Sequence, residues 1–220
     1  MFTILQVLRI RFGKAKFGDS WIAICQACEH NFQQKDSTIV KWIRPQMNTI
    51  KLNSDGSCLN GKCGGGGIVR DYNGRVIFAY AIPLERGTSN LAEAAALLFM
   101  DCHCALGMDS IQFVGETDSL LIANCINKQW KITWMISDLI ENIQTIVEDK
   151  EFLITHCYRE ANKPADKLAS LRHESDLIQI FNSHPEIPTS VKGLINMDRW
   201  NIPTFRIKNV KDRNIIFDPT

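Results

Sequence analysis

The stretch that most constrains this chain runs from Ile50 to Leu59 and reads Ile-Lys-Leu-Asn-Ser-Asp-Gly-Ser-Cys-Leu. Ile50, Leu52 and Ser54 alternate with Lys51, Asn53 and Asp55, the period-two pattern of a half-buried strand with two unlike faces. The pattern predicts a strand that delivers Asp55 near its end and then breaks at Gly56. Two more strands follow, over Gly64–Arg70 and Arg75–Ala81, with Asp71-Tyr72-Asn73-Gly74 as the turn between them. A three-stranded antiparallel meander follows from that.

After the meander the period changes. A helix is expected from Leu91 to about Leu106, ended by Gly107, then a fourth strand over Ser110–Gly115 and a helix from Asp118-Ser119 through Ile126. Lys128-Gln129-Trp130-Lys131 reads as a basic, aromatic turn. An amphipathic helix over Ser137–Val147, a fifth strand over Phe152–Tyr158 and a last helix from Ala165 to about His173 complete the pattern. The order β-β-β-α-β-α-α-β-α implies an α/β domain with a mixed sheet and helices on its faces. Residues 1–47 read as an N-terminal extension and linker, 48–175 as the main domain, and 176–220 as a tail. Short apolar pieces such as Val191–Met197 dock that tail in part.

The balance of 25 basic against 24 acidic residues, a net charge of +1, provides no global positive field. A polyanionic partner must therefore be bound locally. Eight cysteines, several within apolar runs, fit reduced and mostly buried thiols. Cys25, Cys28 and His30 resemble half of a zinc site, and Cys58 with Cys63 could form a second pair, but the spacings match no common zinc template. No apolar run reaches the length of a membrane span, so no membrane partner is expected.

Four acids carry the functional argument, and each has a local explanation. Asp55-Gly56 is a common turn dipeptide. Glu93 stands three residues after Asn90, as in a capping box, and Asp118 could cap its helix. Asp166 follows Pro164 in a first turn, where the helix dipole favours a negative charge. Taken together they can converge on one edge of the sheet if the first and fourth strands are neighbours. Two carboxylates about 4 Å apart repel by roughly 4 kcal/mol at an effective dielectric near 20. A pair of hard divalent ions relieves that repulsion, and Mg²⁺ suits an all-oxygen site.

Asp55-Gly-Ser-Cys-Leu with its glycine run, Thr88-Ser-Asn-Leu-Ala-Glu93, Glu116-Thr-Asp118-Ser and His156-Cys-Tyr-Arg-Glu-Ala-Asn162-Lys-Pro-Ala-Asp166 together resemble type 1 ribonuclease H. More closely, they resemble the ribonuclease H-like domains left in plant genomes by retroelements. The resemblance spans roughly Trp42 to Arg172, and the stretch from Gly193 to Arg206 is similar to the usual tail of that plant group. It implies a ribonuclease H-like fold with a mixed five-stranded sheet, the meander plus two parallel strands, and helices on both faces. It also implies a two-metal endonuclease that cuts the RNA strand of an RNA/DNA hybrid.

On the resemblance, Asp55, Glu93, Asp118 and Asp166 would hold two Mg²⁺ ions, with Mn²⁺ able to substitute, and no small-molecule cofactor is implied. His156, ten residues before Asp166, would move a proton near the scissile phosphate. Gly56, Ser57, Cys58, Thr88, Ser89, Asn90, Ser119 and Asn162 would meet the nucleic acid or order the loops that do. Leu120 stands where well-studied members carry a groove-contacting glutamine, and Lys128–Thr133 is too short for their basic handle. Both departures imply weak substrate binding more than lost chemistry.

The expected protein is thus an intracellular monomer acting on RNA/DNA hybrids, its N-terminal extension a retroelement polymerase remnant. A domesticated domain that binds nucleic acid or a protein without cutting is a second reading. A nuclease or recombinase of the same fold acting on another nucleic acid is a third.

Overall fold

The computed structural model describes residue 6 and residues 20–25, 35–84, 86–104, 112–171 and 176–209. The chain divides into two compact units, one from Val40 to Thr204 and one made of the residues up to Ile39 and from Phe205 onward. β1 (Lys35–Val40) and β8 (Thr204–Asn209), all but one residue of each in the smaller unit, pair as a two-stranded sheet. All the carboxylates considered above lie in the larger unit.

The strand that carries Asp55, β2 (Thr49–Leu59), pairs antiparallel with β3 (Lys62–Arg70), placing Asp55 opposite Gly66 and Gly56 opposite Gly65. The expected break at Gly56 does not occur. β3 keeps the strand extended to Leu59, and the turn falls instead at Asn60 and Gly61, both at positive φ. An Asn-Gly pair at two positive φ angles matches the twist of the flanking strands.

The meander closes with β4 (Val76–Leu84), which pairs antiparallel with β3. On the other side, β5 (Gln112–Thr117) runs parallel to β2, and β6 (Leu153–His156) runs parallel to β5. A three-residue strand, β7 (Gln179–Phe181), adds to β4. The mixed sheet therefore has six strands in the order β6-β5-β2-β3-β4-β7, one more than expected. Three residues are too few to display a period, which is why β7 left no trace in the pattern.

Helices α1 (Ser89–Cys104), α2 (Leu120–Ile126) and α3 (Ser137–Asp149) serve one face of the sheet, and α4 (Lys163–Ser170) and α5 (Thr189–Arg199) the other. The expected α1 terminator, Gly107, lies outside the described residues. The first core gathers Ile50, Leu52, Val69 and Phe113 from the sheet with Leu97, Ile122 and Ile140 from the helices. The second packs Ile68, Ala79 and Ala81 against Leu168, Val191 and Ile195. Burying such side chains contributes roughly 1.5–3 kcal/mol each, which is what holds α5 to the sheet.

Beside the second core runs a buried polar chain. Arg70, with no exposed surface, donates to Asn53 Oδ1 at 2.6 Å and to Asp198 Oδ2 at 2.7 Å, and its guanidinium stacks 3.6 Å over the Trp42 ring. Trp42 Nε1 donates to the same Asn53 oxygen, while Asn53 Nδ2 and Lys51 Nζ donate to the two Glu116 oxygens. Burial raises the Asp198 carboxyl above its usual range against the opposing pull of Arg70.

Cys58 and Cys63 face each other across the β2–β3 turn and are joined as a disulfide. That corrects the expectation of reduced thiols for this pair and removes it as a zinc pair. Cys25, Cys125 and Cys157 are free thiols among the described residues, and Cys28 and His30 lie outside them.

Asp198→Ala is expected to lower unfolding free energy by about 3 kcal/mol in urea denaturation, because it leaves the Arg70 charge buried without its carboxylate. A loss under about 1 kcal/mol would show that Asn53 and Trp42 suffice to hold Arg70.

Candidate active site

Three elements bring three carboxylates together. β2 supplies Asp55, 4 % exposed; the second turn of α1 supplies Glu93, 8 % exposed; the chain leaving β5 supplies Asp118. One ligand oxygen from each lies within 4.8 Å of the others. The parallel register sets Thr117 opposite Ser54, so Asp118 emerges beside Asp55.

Gly56 brings Glu93 in. A Cβ at this glycine would lie 2.2 Å from the backbone nitrogen of Glu93 and 2.3 Å from the carbonyl carbon of Ala92. The α1 backbone thus rests directly on β2, at a distance only glycine permits. The Glu93 carboxylate then accepts the Gly56 N–H and the Thr117 hydroxyl, the latter at 3.2 Å.

The local roles open to these acids are taken by neighbours. Thr88 Oγ1 accepts the Leu91 N–H at 3.3 Å, so Glu93 is not needed as a cap. Ser119 Oγ accepts the Ile122 N–H at 3.3 Å and is the N-cap of α2, leaving Asp118 to face the cluster.

Asp166 sits in the first turn of α4 as the dipole argument requires, but its carboxylate lies 3.0 Å from the Arg159 guanidinium and outside the three-acid cluster. The helix that carries it presses on β3 at Gly66, where a Cβ would lie 2.1 Å from the Ala169 nitrogen. Asn162, fully buried, donates its amide to the Ser54 carbonyl at 2.9 Å and ties the start of α4 to β2 one residue before Asp55.

Crowding keeps protons on this cluster. Asp55 is pushed up from 3.8 to about 10, first by burial and then by the charges of Glu93, Asp118 and Asp166. Glu93 rises from 4.5 to about 8 through burial and Asp118, against the Gly56 and Thr117 hydrogen bonds. A set of buried oxygens that retains protons at neutral pH is one that a divalent cation can discharge. The donors are all carboxylate oxygens, the chemistry that hard cations such as Mg²⁺ or Mn²⁺ take.

Around the cluster, Thr88, Ser89 and Asn90 are exposed at the start of α1, and Gly56, Ser57 and Cys58 are half-buried along β2. Leu120 is 47 % exposed next to Ser119. His156 ends β6, its ring edge-on to Tyr158 at 6.0 Å. Two contributors escaped the sequence reading. Thr117 was hidden in the alternation of β5, and Arg159 had no charge partner within helical spacing to mark it.

Fold and site define a ribonuclease H-like domain with an acidic triad, two members buried and Asp118 half-buried. Over residues 53–172 the chain matches the family described as Reverse transcriptase-like, and it belongs to that family within the ribonuclease H group. It is 25% identical over 170 residues to a protein of Arabidopsis thaliana provisionally named a ribonuclease H protein. The match takes in 76% of this chain and 27% of that relative, so the chain spans about a quarter of its length. Among solved structures, LC11-RNase H1, isolated from compost, aligns with a TM-score of 0.54 at 22% identity, covering 58% of this chain and 97% of its own. The same enzyme in complex with an RNA/DNA hybrid gives 0.50 at 20% identity over 56% and 94%. RNase H1 of the archaeon Halobacterium salinarum gives 0.53 at 20% identity over 57% and 98%. These likenesses fix the fold.

Gly56→Ala is expected to destabilise the domain by at least about 2 kcal/mol, because the clash is with helix backbone and no side chain can yield. Thermal melting with and without Mn²⁺ would also show a weakened metal-induced rise; an unchanged melting curve would mean that α1 does not rest on β2 at this point. A second expectation concerns pH. Native carboxyls with raised pKa hold more protons than the unfolded chain, so their contribution is full below about pH 4 and fades as pH climbs towards 8–10. Melting temperature without metal should fall from about pH 5 to 9, the rise on adding Mn²⁺ should grow over the same range, and Asp55→Asn should flatten both trends. A metal-induced rise independent of pH would show that Asp55 and Glu93 do not hold protons that the metal must displace.

Proposed function

We propose that this chain is a divalent-metal-dependent endoribonuclease that hydrolyses the RNA strand of RNA/DNA hybrids. The observation that carries the proposal is the convergence of Asp55, Glu93 and Asp118 within 4.8 Å in a ribonuclease H-like fold. Asp55, Glu93 and Asp118 would hold Mg²⁺ or Mn²⁺, with Asp166 completing a two-ion set once it leaves Arg159. When bound, the ions supply a metal-activated water and neutralise charge on the phosphate under attack.

The chain's own groups do the rest. Gly56 N–H and Thr117 keep Glu93 oriented, Asn162 keeps β2 and α4 in register, and exposed His156 moves a proton to the departing 3′ oxygen. The exposed hydroxyl and amide groups of Thr88, Ser89 and Asn90, with Ser57 and Ser119, offer polar contacts to the nucleic acid. A hybrid is told from duplex DNA by its 2′-hydroxyls and groove shape.

A second reading, binding without cutting, is favoured by one observation: Asp166 is engaged by Arg159 and stands outside the cluster of the other three acids. One experiment separates them. Incubating the protein with a labelled RNA strand in an RNA/DNA hybrid and Mg²⁺ or Mn²⁺ should give cuts that Asp118→Asn lowers by at least about a hundredfold, while duplex DNA is spared. Folded protein that binds hybrid and leaves the RNA intact would overturn the nuclease and leave the binding module.

A further inference from the structure

The disulfide between Cys58 and Cys63 lies on the strand that carries Asp55, three residues past it. The register places the two cysteines directly opposite, one pair before the turn at Asn60 and Gly61. A cross-link over so short a loop, already closed by the hairpin, removes little chain entropy. Its consequence is positional. Cys58 follows Gly56 and Ser57 along the edge of the site. Cys63 is fully buried, with its sulfur 3.6 Å from the carbonyl oxygen of Gly87, just before Thr88, Ser89 and Asn90. The bond thus ties β2 to β3 at the edge of the site, with the Cys63 sulfur packed against the segment that opens α1.

The two sulfurs are unequal. Cys58 is half-buried and Cys63 has no exposed surface, so an incoming thiolate reaches Cys58 first. Attack there forms a mixed disulfide on Cys58 and releases Cys63 as a thiolate, which takes up a proton. A second thiol then frees Cys58. The balance is one protein disulfide plus two thiols giving one protein dithiol plus one small-molecule disulfide; the reverse needs a small-molecule disulfide as oxidant. Once protonated, the Cys63 thiol can donate to the Gly87 carbonyl, a contact the disulfide sulfur cannot make for want of a hydrogen. The two redox states therefore differ in how the hairpin meets the loop that opens α1.

We propose that Cys58–Cys63 is a reversible thiol–disulfide modification site that takes low-molecular-weight thiols of the glutathione type, and that its oxidised form is the tighter binder of the RNA/DNA hybrid. The second half rests on the hybrid-binding reading above. The sign follows from preorganisation: the closed pair fixes Cys58, and with it the Gly56-Ser57 edge of the site, against β3, while the open pair leaves the Cys58 side chain to be ordered at the moment of binding.

The test uses the full chain in the Asp118→Asn background, so that hybrid survives the assay, equilibrated with oxidised or with reduced glutathione. Peptide mapping after alkylation should find Cys58 and Cys63 blocked in the oxidised sample and both labelled in the reduced one. Fluorescence anisotropy should show hybrid bound roughly three- to tenfold more weakly after reduction. Cys58→Ala should give one affinity under both conditions. Free thiols at both positions in oxidised glutathione would overturn the site itself. Blocked thiols with equal affinities would overturn its effect on binding. Hybrid bound in neither state, with the thiols still interconverting, would sink the hybrid-binding reading and the second half with it, while the modification site would stand.

Discussion

The acidic cluster exists because a helix backbone touches a strand backbone at Gly56. An α-helix lying on a sheet is normally held about one side-chain layer away, and a glutamate on it cannot reach an aspartate within the strand. At Gly56 the layer is missing: a single methyl group would fall 2.2 Å from the Glu93 nitrogen. The contact brings Glu93 to Asp55, gives it the Gly56 N–H as a partner, and buries both carboxylates beside Asp118. At Gly66 the same device seats α4 on β3 from the other face. Gly56 and Gly66 thus let helices on both faces approach the strand backbone, more than they supply backbone freedom.

What this proximity costs is borne by the rest of the fold. Desolvation and mutual repulsion push Asp55 and Glu93 well above ordinary carboxylates, so the cluster would loosen if the elements that carry it could drift apart. They are tied down at several points. Thr117 binds Glu93 from β5, Asn162 binds the Ser54 carbonyl, and the Lys51-Glu116-Asn53-Arg70-Asp198 chain fixes the opposite half of β2 to α5. Buried networks of this kind favour one arrangement even where they add little stability, although the Arg70 Nε has no hydrogen-bond partner among the described residues. The tail helix thus takes part, through Asp198 and Arg70, in holding the strand that bears Asp55.

Much of this was legible in the residues. Period-two alternation located β2, although Thr49–Asp55 proves buried on both faces and not half-buried, and the apolar stripe of Ser137–Val147 located α3, because burial on one helix face writes itself into the sequence. The four acids could be singled out because their types suit one chemistry. Other features left weaker marks. The extension of β2 past Gly56 depends on hydrogen bonds to β3, and glycine's low strand propensity argued the other way. β7 exists only because β4 offers it an edge. The disulfide follows from a register set by Asn60 and Gly61, which no count of cysteines supplies.

The hardest feature to foresee is the separation of Asp166 from the other three acids. Sequence spacing puts it in a first turn and the helix dipole keeps it there, yet its carboxylate lies against Arg159 in a partly exposed pair. Exposed pairs of this kind are worth at most about 1 kcal/mol. On the metal-binding proposal, a divalent cation that displaced the protons of Asp55 and Glu93 would attract Asp166 more strongly than the single charge of Arg159 does. On the same proposal, an exposed pair of that strength is weak enough for Asp166 to yield to a divalent cation. Burial and contact with neighbouring backbone, more than residue type, thus separate the three acids that stand together from Asp166.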